Sequence, residues 1–208
     1  MSSKHHLRPL SDAERDALTE AANIAMGRAA TSLRHIVHEE VVLTVPSIDI
    51  ISEGDVLKLM QKAGESHLIA VREDFRGLFS GRALLIFPET SSLELVRAII
   101  GRDMSLEEIA ELETEAIGET GNIVLNCWIA TLANLLKHNL VMSVPKVIRG
   151  DSASIFESPS VSLVLFLHID FAVRENKIRG YLALLMDLPS MDALRALIHD
   201  FIESFGRP

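Results

Sequence analysis

Residues 16–23 read Asp-Ala-Leu-Thr-Glu-Ala-Ala-Asn, and residues 115–122 read Glu-Ala-Ile-Gly-Glu-Thr-Gly-Asn. An acidic residue, a Glu and an Asn recur at the same spacing, each displaced by 99 positions. The chain is therefore an internal repeat with copies at roughly 11–101 and 110–204, and two long copies do not make a solenoid. Other matches at the same offset include Ile24 with Ile123, Gly81 with Gly180, and Leu95 with Leu194.

Each copy adds a more distant Pro to this triplet. At about 100° per residue in a helix, the acidic residue, the Glu and the Asn fall within about 60° of one another. Apolar residues lie across from them, so each triplet should face outward on a long helix whose back is buried. The four motif positions are Asp16, Glu20, Asn23 and Pro46 in the first copy, and Glu115, Glu119, Asn122 and Pro145 in the second.

Ser11 with Glu14 has the form of a capping box, which predicts a helix from about residue 12 to about 38. One turn after the two Asn residues stand Gly27 and Asn126, and we expect these to leave each carboxamide accessible. The positions expected to be buried are Leu18, Ala25, Ala29, Leu33 and Ile36 in the first helix, and Ile117, Val124, Trp128, Leu132 and Leu135 in the second.

Strand patterns fill much of the remainder. The β-branched run 41–45 is expected to form a strand that ends at Pro46, because proline has no backbone N–H to donate to a sheet. We therefore predict a structural role for Pro46 and Pro145. Short turns such as 75–80 favour antiparallel pairing. We predict an α/β (α+β) protein with a mostly antiparallel sheet, a pseudo-two-fold axis and two long motif-bearing helices, forming a single domain over 1–208. Further strands are expected at 67–72, 81–87, 162–171 and 180–186, and helices at 91–100, capped by Gly101, and at 190–204.

Composition narrows the class of protein. The chain is 48% hydrophobic and 24% charged, which is ordinary for a globular protein. A net charge of −9 argues against a nucleic-acid partner, which needs clustered cations. No secretory signal and no apolar stretch long enough for a membrane span is evident, so we expect a cytoplasmic protein. The single Cys127 is predicted to be an inert core thiol.

The paired Glu and Asn allow two interpretations. Charged residues usually mark a solvated helix face. However, Asn is a poor choice within a helix, and here it recurs at a matched position. A carboxamide both donates and accepts hydrogen bonds, so it can hold a water in a defined direction, while a nearby carboxylate can anchor a cation. These two groups suit hydrolysis of a phosphoryl group.

The motif resembles the signature of the CheC, CheX and FliY phosphatases of bacterial chemotaxis. The first copy fits it completely, and the second departs only at Glu115. Residues 78–88 are also similar to CheC. The resemblance implies a phosphatase acting on the phosphoaspartate of the response regulator CheY. Glu20 and Glu119 would then dock to a lysine of the regulator, and Asn23 and Asn122 would orient the attacking water. The family further implies that Mg²⁺ is carried by the regulator and that this chain binds no cofactor or metal.

Two further departures and two alternatives accompany this resemblance. Ala22 stands where the family commonly has Gly, and Arg28 stands where a smaller polar residue is usual, although it lies to the side of the triplet. The alternative function is a regulatory module that binds the deamidase CheD, with phosphatase activity secondary. The candidate contact is the segment from Lys146 to Phe156. That segment could instead be an ordinary linker to the next strand. A FliY-like switch component is disfavoured because the chain ends at Pro208 without a further domain.

Overall fold

The computed structural model describes residues 8–37, 40–62, 66–100, 105–156, 163–173 and 176–205. Long helices alternate with strands in both halves of the chain. The helices are α1 (Asp12–Val37), α2 (Glu53–Lys62), α3 (Glu89–Ile100), α4 (Leu106–Leu136), α5 (Ser152–Ile155) and α6 (Leu188–Phe205). The strands are β1 (Val41–Ser52), β2 (Leu68–Arg76), β3 (Gly81–Pro88), β4 (Val141–Met142), β5 (Lys146–Gly150), β6 (Leu163–Val173) and β7 (Asn176–Met186).

These strands form one sheet, with the order β1-β6-β7-β3-β2 and with β4 and β5 both pairing with the outer edge of β2. Every pairing among them is antiparallel, including the β2–β3 hairpin expected from its short turn. At the centre, Leu84 of β3 pairs with Ala183 of β7, and these two residues are equivalent at the 99-residue offset. A pseudo-two-fold axis therefore passes through this pair, and the predicted fold class is confirmed. The single-domain organisation over 1–208 stays a prediction.

The sheet is buried on both faces, which explains the unbroken apolar run of β3. Ala83, Leu85 and Phe87 point into a core shared with α1, α3, α4 and α6. Leu84 and Ile86 point into a smaller core closed by α2 and α5. The protein thus has three layers, with the two long motif helices on the more heavily covered face. No helix within the described ranges is both long and apolar enough to span a bilayer.

Several predicted elements are confirmed, and the predicted strands are longer than expected. The capping box at α1 is present: the Ser11 amide donates to Glu14 Oε2 at 2.7 Å, and the Glu14 amide donates to Ser11 Oγ at 3.3 Å. The expected buried positions of both helices are buried or partly buried, except Ile36, which is 45% exposed because it lies near the end of α1. Gly101, the predicted cap of α3, lies outside the described residues.

The two motif prolines mark interruptions in the edge strands. The strand at 41–45 does not end at Pro46: β1 continues to Ser52, and the pairing with β6 shifts register between Thr44 and Ser47. A bulge accommodates the missing donor of Pro46 on this edge strand, which corrects the sequence prediction. Pro145 lies at the equivalent point of the opposite edge, between β4 and β5. The prolines therefore shape the sheet edges and do not lie on the motif helices.

The segment from Lys146 to Phe156 is not a linker. It forms β5, which pairs with β2 from Arg72 to Leu68, and then helix α5. Helix α2, which the sequence pattern did not predict, covers the same face of the sheet as α5 through Val56 and Met60.

One carboxyl group is buried without compensation. Glu73 lies on β2 between Val71 and Phe75, is fully inaccessible, and neither of its carboxyl oxygens has a hydrogen-bond partner among the described residues. Burial raises the pKa of Glu73 from 4.5 to about 7. The folded protein therefore holds a proton on Glu73 that the unfolded chain releases at lower pH.

The titration of Glu73 can be tested with Glu73→Gln, because glutamine keeps the shape of the glutamate side chain and cannot ionise. The free energy of unfolding of the wild type, relative to the variant, should fall by roughly 2–3 kcal/mol as the pH rises from about 4.5 to about 8. Urea unfolding at several pH values measures this difference, from which other titrating groups cancel. A difference that is independent of pH would show that Glu73 does not titrate in this range.

Candidate functional site

The two triplets lie on the outer faces of α1 and α4. The side chains of Asp16, Glu20 and Asn23 are exposed and make no hydrogen bond or ion pair with any other described residue. On α4, Glu115 and Glu119 are likewise exposed and unpaired within the described part of the chain, and Asn122 is half-buried. Each face thus presents free carboxylates one turn from a carboxamide. Such a face can bind a cation of another molecule and place a polar amide beside it.

Helices α1 and α4 pack against each other near the pseudo-two-fold axis. Arg28 of α1 donates from Nη1 to Thr131 Oγ1 of α4 at 3.4 Å. Arg28 therefore reaches toward α4, which agrees with its expected position to the side of the triplet. Its equivalent at the 99-residue offset is Cys127, which packs against the core. Burial raises the pKa of the Cys127 thiol, while the charge of Arg28 lowers it.

Asn126 does not leave the second carboxamide free, contrary to the sequence expectation. Its Nδ2 donates to the backbone oxygen of Asn122 at 2.8 Å and to Asn122 Oδ1 at 2.7 Å. Gly27, at the corresponding position of α1, carries no side chain that could make this contact with Asn23. Asn122 and Asn126 are four residues apart, a spacing at which two side chains can meet on a helix. This spacing was the only feature of the sequence that could have indicated the contact.

A buried polar cluster fixes α4 to its neighbours. Glu113 is 5% exposed; its Oε1 accepts from Ser92 Oγ of α3 at 2.6 Å, and its Oε2 accepts from Arg149 Nη2 of β5 at 2.7 Å. Both carboxylate oxygens of this buried group therefore have donors. Because Glu115 and Glu119 follow on the same helix, the cluster helps to set the position of the second face relative to the sheet. Sequence reasoning did not identify Glu113.

The residue before each motif Asn meets the sheet differently in the two halves. A Cβ on Gly121 would overlap the side chain of Val71 on β2, so α4 approaches the sheet too closely for any larger residue. On α1 the equivalent Ala22 is fully buried, and its methyl group is accommodated. The departure at Ala22 is thus explained by packing: only the second copy has the close helix-sheet contact that needs glycine.

Among the described residues, no three His, Cys, Asp or Glu side chains are grouped in a way that could hold a metal ion. The chemistry available on these faces is hydrogen bonding by the two Asn residues and charge pairing by the carboxylates.

The duplicated motif and the fold make this chain similar to the CheC and FliY proteins. No family model matches the sequence. The chain is 25% identical over 141 residues to the CheY-P phosphatase CheC of Bacillus subtilis, a match that covers 66% of this chain and 67% of that protein. It is also 25% identical over 140 residues to the flagellar motor switch phosphatase FliY of B. subtilis, covering 66% of this chain and 36% of FliY. The matched region thus spans about a third of the length of FliY.

Solved structures agree on the fold. The crystal structure of Thermotoga maritima FliY superposes with a TM-score of 0.74 at 20% identity, covering 94% of this chain and 98% of that chain. The FliM middle domain from H. pylori superposes with a TM-score of 0.63 at 9% identity, covering 90% and 99%. The resemblance to the CheC-like proteins is therefore confirmed in both sequence and fold.

The contact between Gly121 and Val71 gives a stability prediction. Gly121→Ala should lower the free energy of unfolding by about 1–3 kcal/mol, because the added methyl group forces α4 away from β2. Urea unfolding followed by the fluorescence of Trp128, the single tryptophan, measures the loss.

Gly118→Ala is the matched control, since its Cβ would lie 3.4 Å from Val147, an ordinary contact distance. It should be neutral or slightly stabilising through the higher helix propensity of alanine. Truncating Val71 to Ala removes its two overlapping methyl groups but keeps its Cβ, so it should relieve only part of the cost of Gly121→Ala. Equal stability of the two glycine variants would contradict the close contact.

Proposed function

We propose that this chain hydrolyses the phosphoaspartate of a CheY-type response regulator. Both curated relatives carry the name of a phosphatase, one of them specifically of CheY-P. The observation that carries the proposal is the duplicated face: Glu20 with Asn23, and Glu119 with Asn122, occupy equivalent outward positions on two long helices. An activity that used neither face would leave this matched placement unexplained.

In the proposed mechanism the Asn residues act on the attacking water. Transfer of a phosphoryl group to water has a loose transition state, so most of the catalytic effect comes from placing the water in line with the phosphorus. A carboxamide can accept a hydrogen bond from that water and donate one to a phosphoryl oxygen. Asn23, which is exposed and unpaired in the described structure, is free to enter the active site of a partner.

The Glu residues would dock the regulator. Glu20 and Glu119 carry carboxylates one turn before each Asn, and each would pair with a lysine beside the phosphoaspartate. Asp16 and Glu115 extend the negative charge of each face. Mg²⁺ would be held by the regulator and would balance phosphoryl charge there, while this chain would supply no metal ligand. Each face would thus complete the active site of its substrate.

The alternative proposal is a module that binds the deamidase CheD, with hydrolysis secondary. The candidate segment, from Lys146 to Phe156, is an edge strand followed by a short helix. Within the described structure β5 pairs only on its β2 side, so its outer edge could accept a further strand. Tight binding of CheD by a chain that does not accelerate dephosphorylation would favour this alternative.

The carboxamides give the first functional prediction. Asn23→Ala and Asn122→Ala should each remove part of the activity, and the double variant should lower phosphate release from the phosphorylated regulator on the order of 100-fold. Both side chains lie on helix surfaces, so stability should change little. Asn134→Ala, at an exposed position further along α4, is the matched control and should keep full activity. A double variant as fast as the wild type would exclude the proposed role.

The carboxylates give a second prediction. Glu20→Lys and Glu119→Lys together should raise the KM for the phosphorylated regulator on the order of tenfold and flatten its salt dependence, with a smaller effect on the saturated rate. Steady-state assays at several ionic strengths measure both quantities.

Glu94→Lys, at an exposed position on α3, changes the net charge by the same amount per site and serves as the control. It should leave KM close to the wild-type value. An unchanged KM with a collapsed saturated rate in the Glu20/Glu119 variant would assign these carboxylates to the chemical step.

A further inference from the structure

The carboxamide of Asn122 has a fixed orientation that follows from its partner. A backbone carbonyl only accepts hydrogen bonds, so Asn126 must present its Nδ2 to the backbone oxygen of Asn122. The same nitrogen contacts the Asn122 side chain at 2.7 Å, and since an amide nitrogen only donates, the facing atom must be Oδ1. The side-chain oxygen of Asn122 therefore points along α4 toward its C-terminal end, where Asn126 lies.

The first motif helix lacks this restraint. Gly27 occupies the position of Asn126, and the side chain of Asn23 has no hydrogen bond to any described residue. A Cβ on Gly27 would meet no atom within 4 Å, so a side chain there would be accommodated without rearrangement. The two carboxamides are equivalent in the repeat but differ in their freedom, and the difference comes from one side chain.

We propose that Asn126 is a positioning residue: its hydrogen bond to Asn122 Oδ1 makes phosphate release at the second face slower than at the first. The inference rests on the proposed function, in which the carboxamide oxygen accepts a hydrogen bond from the attacking water. At the second face that oxygen must leave Asn126 or share its lone pairs with it, whereas Asn23 has no such competitor. The net free energy of one neutral hydrogen bond corresponds to a rate difference of about 3- to 10-fold.

The test separates the two faces. In an Asn23→Ala background only the second face works, and adding Asn126→Ala should raise the saturated rate of phosphate release about 3- to 10-fold. KM should stay nearly constant, because Glu119 is untouched. In an Asn122→Ala background only the first face works, and adding Gly27→Asn should lower the saturated rate by a similar factor.

Gly27→Ala is the matched control for the second pair, since it adds a Cβ without an amide, and it should leave the rate unchanged. A purely structural role of Asn126 would change the thermal stability and not the saturated rate. A rate in the Asn23→Ala background that falls or stays the same when Asn126→Ala is added would overturn the inference.

A measurement on the free protein keeps this test separate from the proposed function. In ¹⁵N-labelled protein, the Asn126 side-chain amide should exchange slowly with solvent and show contacts to Asn122, and Asn122→Ala should abolish both. If these signals are present but the wild type does not accelerate dephosphorylation, the proposed function fails and the contact stands. If the wild type is active but the signals are absent, the inference about Asn126 fails alone.

Discussion

The antiparallel pairing of β3 with β7 is the interaction on which the rest of the structure depends. Leu84 and Ala183 pair at its centre and are equivalent at the repeat offset, so the two halves are joined into one sheet about a pseudo-two-fold axis. The same axis brings α1 and α4 together on one face of that sheet. A shift of one residue in this pairing would exchange the two faces of β3 and direct its side chains into the wrong core on each side of the sheet. The matched display of the two triplets therefore depends on this central register.

Buried carboxylates at equivalent positions then hold the motif helices in place. Glu14 and Glu113 differ by the repeat offset and are both nearly inaccessible, but they use different donors. Glu14 binds Ser11 and Arg8 close to it in sequence, whereas Glu113 binds Ser92 of α3 and Arg149 of β5. Functional groups on helices anchored in this way are held more precisely than groups on loops. The anchors explain how exposed side chains can present a defined geometry to a partner.

Much of this arrangement was predictable from the sequence, because the repeat offset and the helical period are both visible in it. The start of α1 at the Ser11 and Glu14 capping box, the outward triplets and the antiparallel sheet were all anticipated. The predicted end of β1 was wrong. Pro46 removes one hydrogen-bond donor, but a bulge on this edge strand accommodates the missing bond and the strand continues. The strand β5 was missed because its five residues are mostly half-exposed and gain their order from pairing with β2. The contact of Asn126 with Asn122 was missed because a spacing of four residues permits a contact without specifying one.

We propose that the two motif faces complete the active site of a phosphorylated response regulator. The most direct test of this proposal is the decay of a purified, Mg²⁺-loaded phosphorylated CheY-type regulator in the presence of this protein at a tenth or less of its concentration. We expect faster decay with many turnovers per chain and stoichiometric release of inorganic phosphate. A decay rate that is unchanged at any concentration of the protein would contradict the proposal.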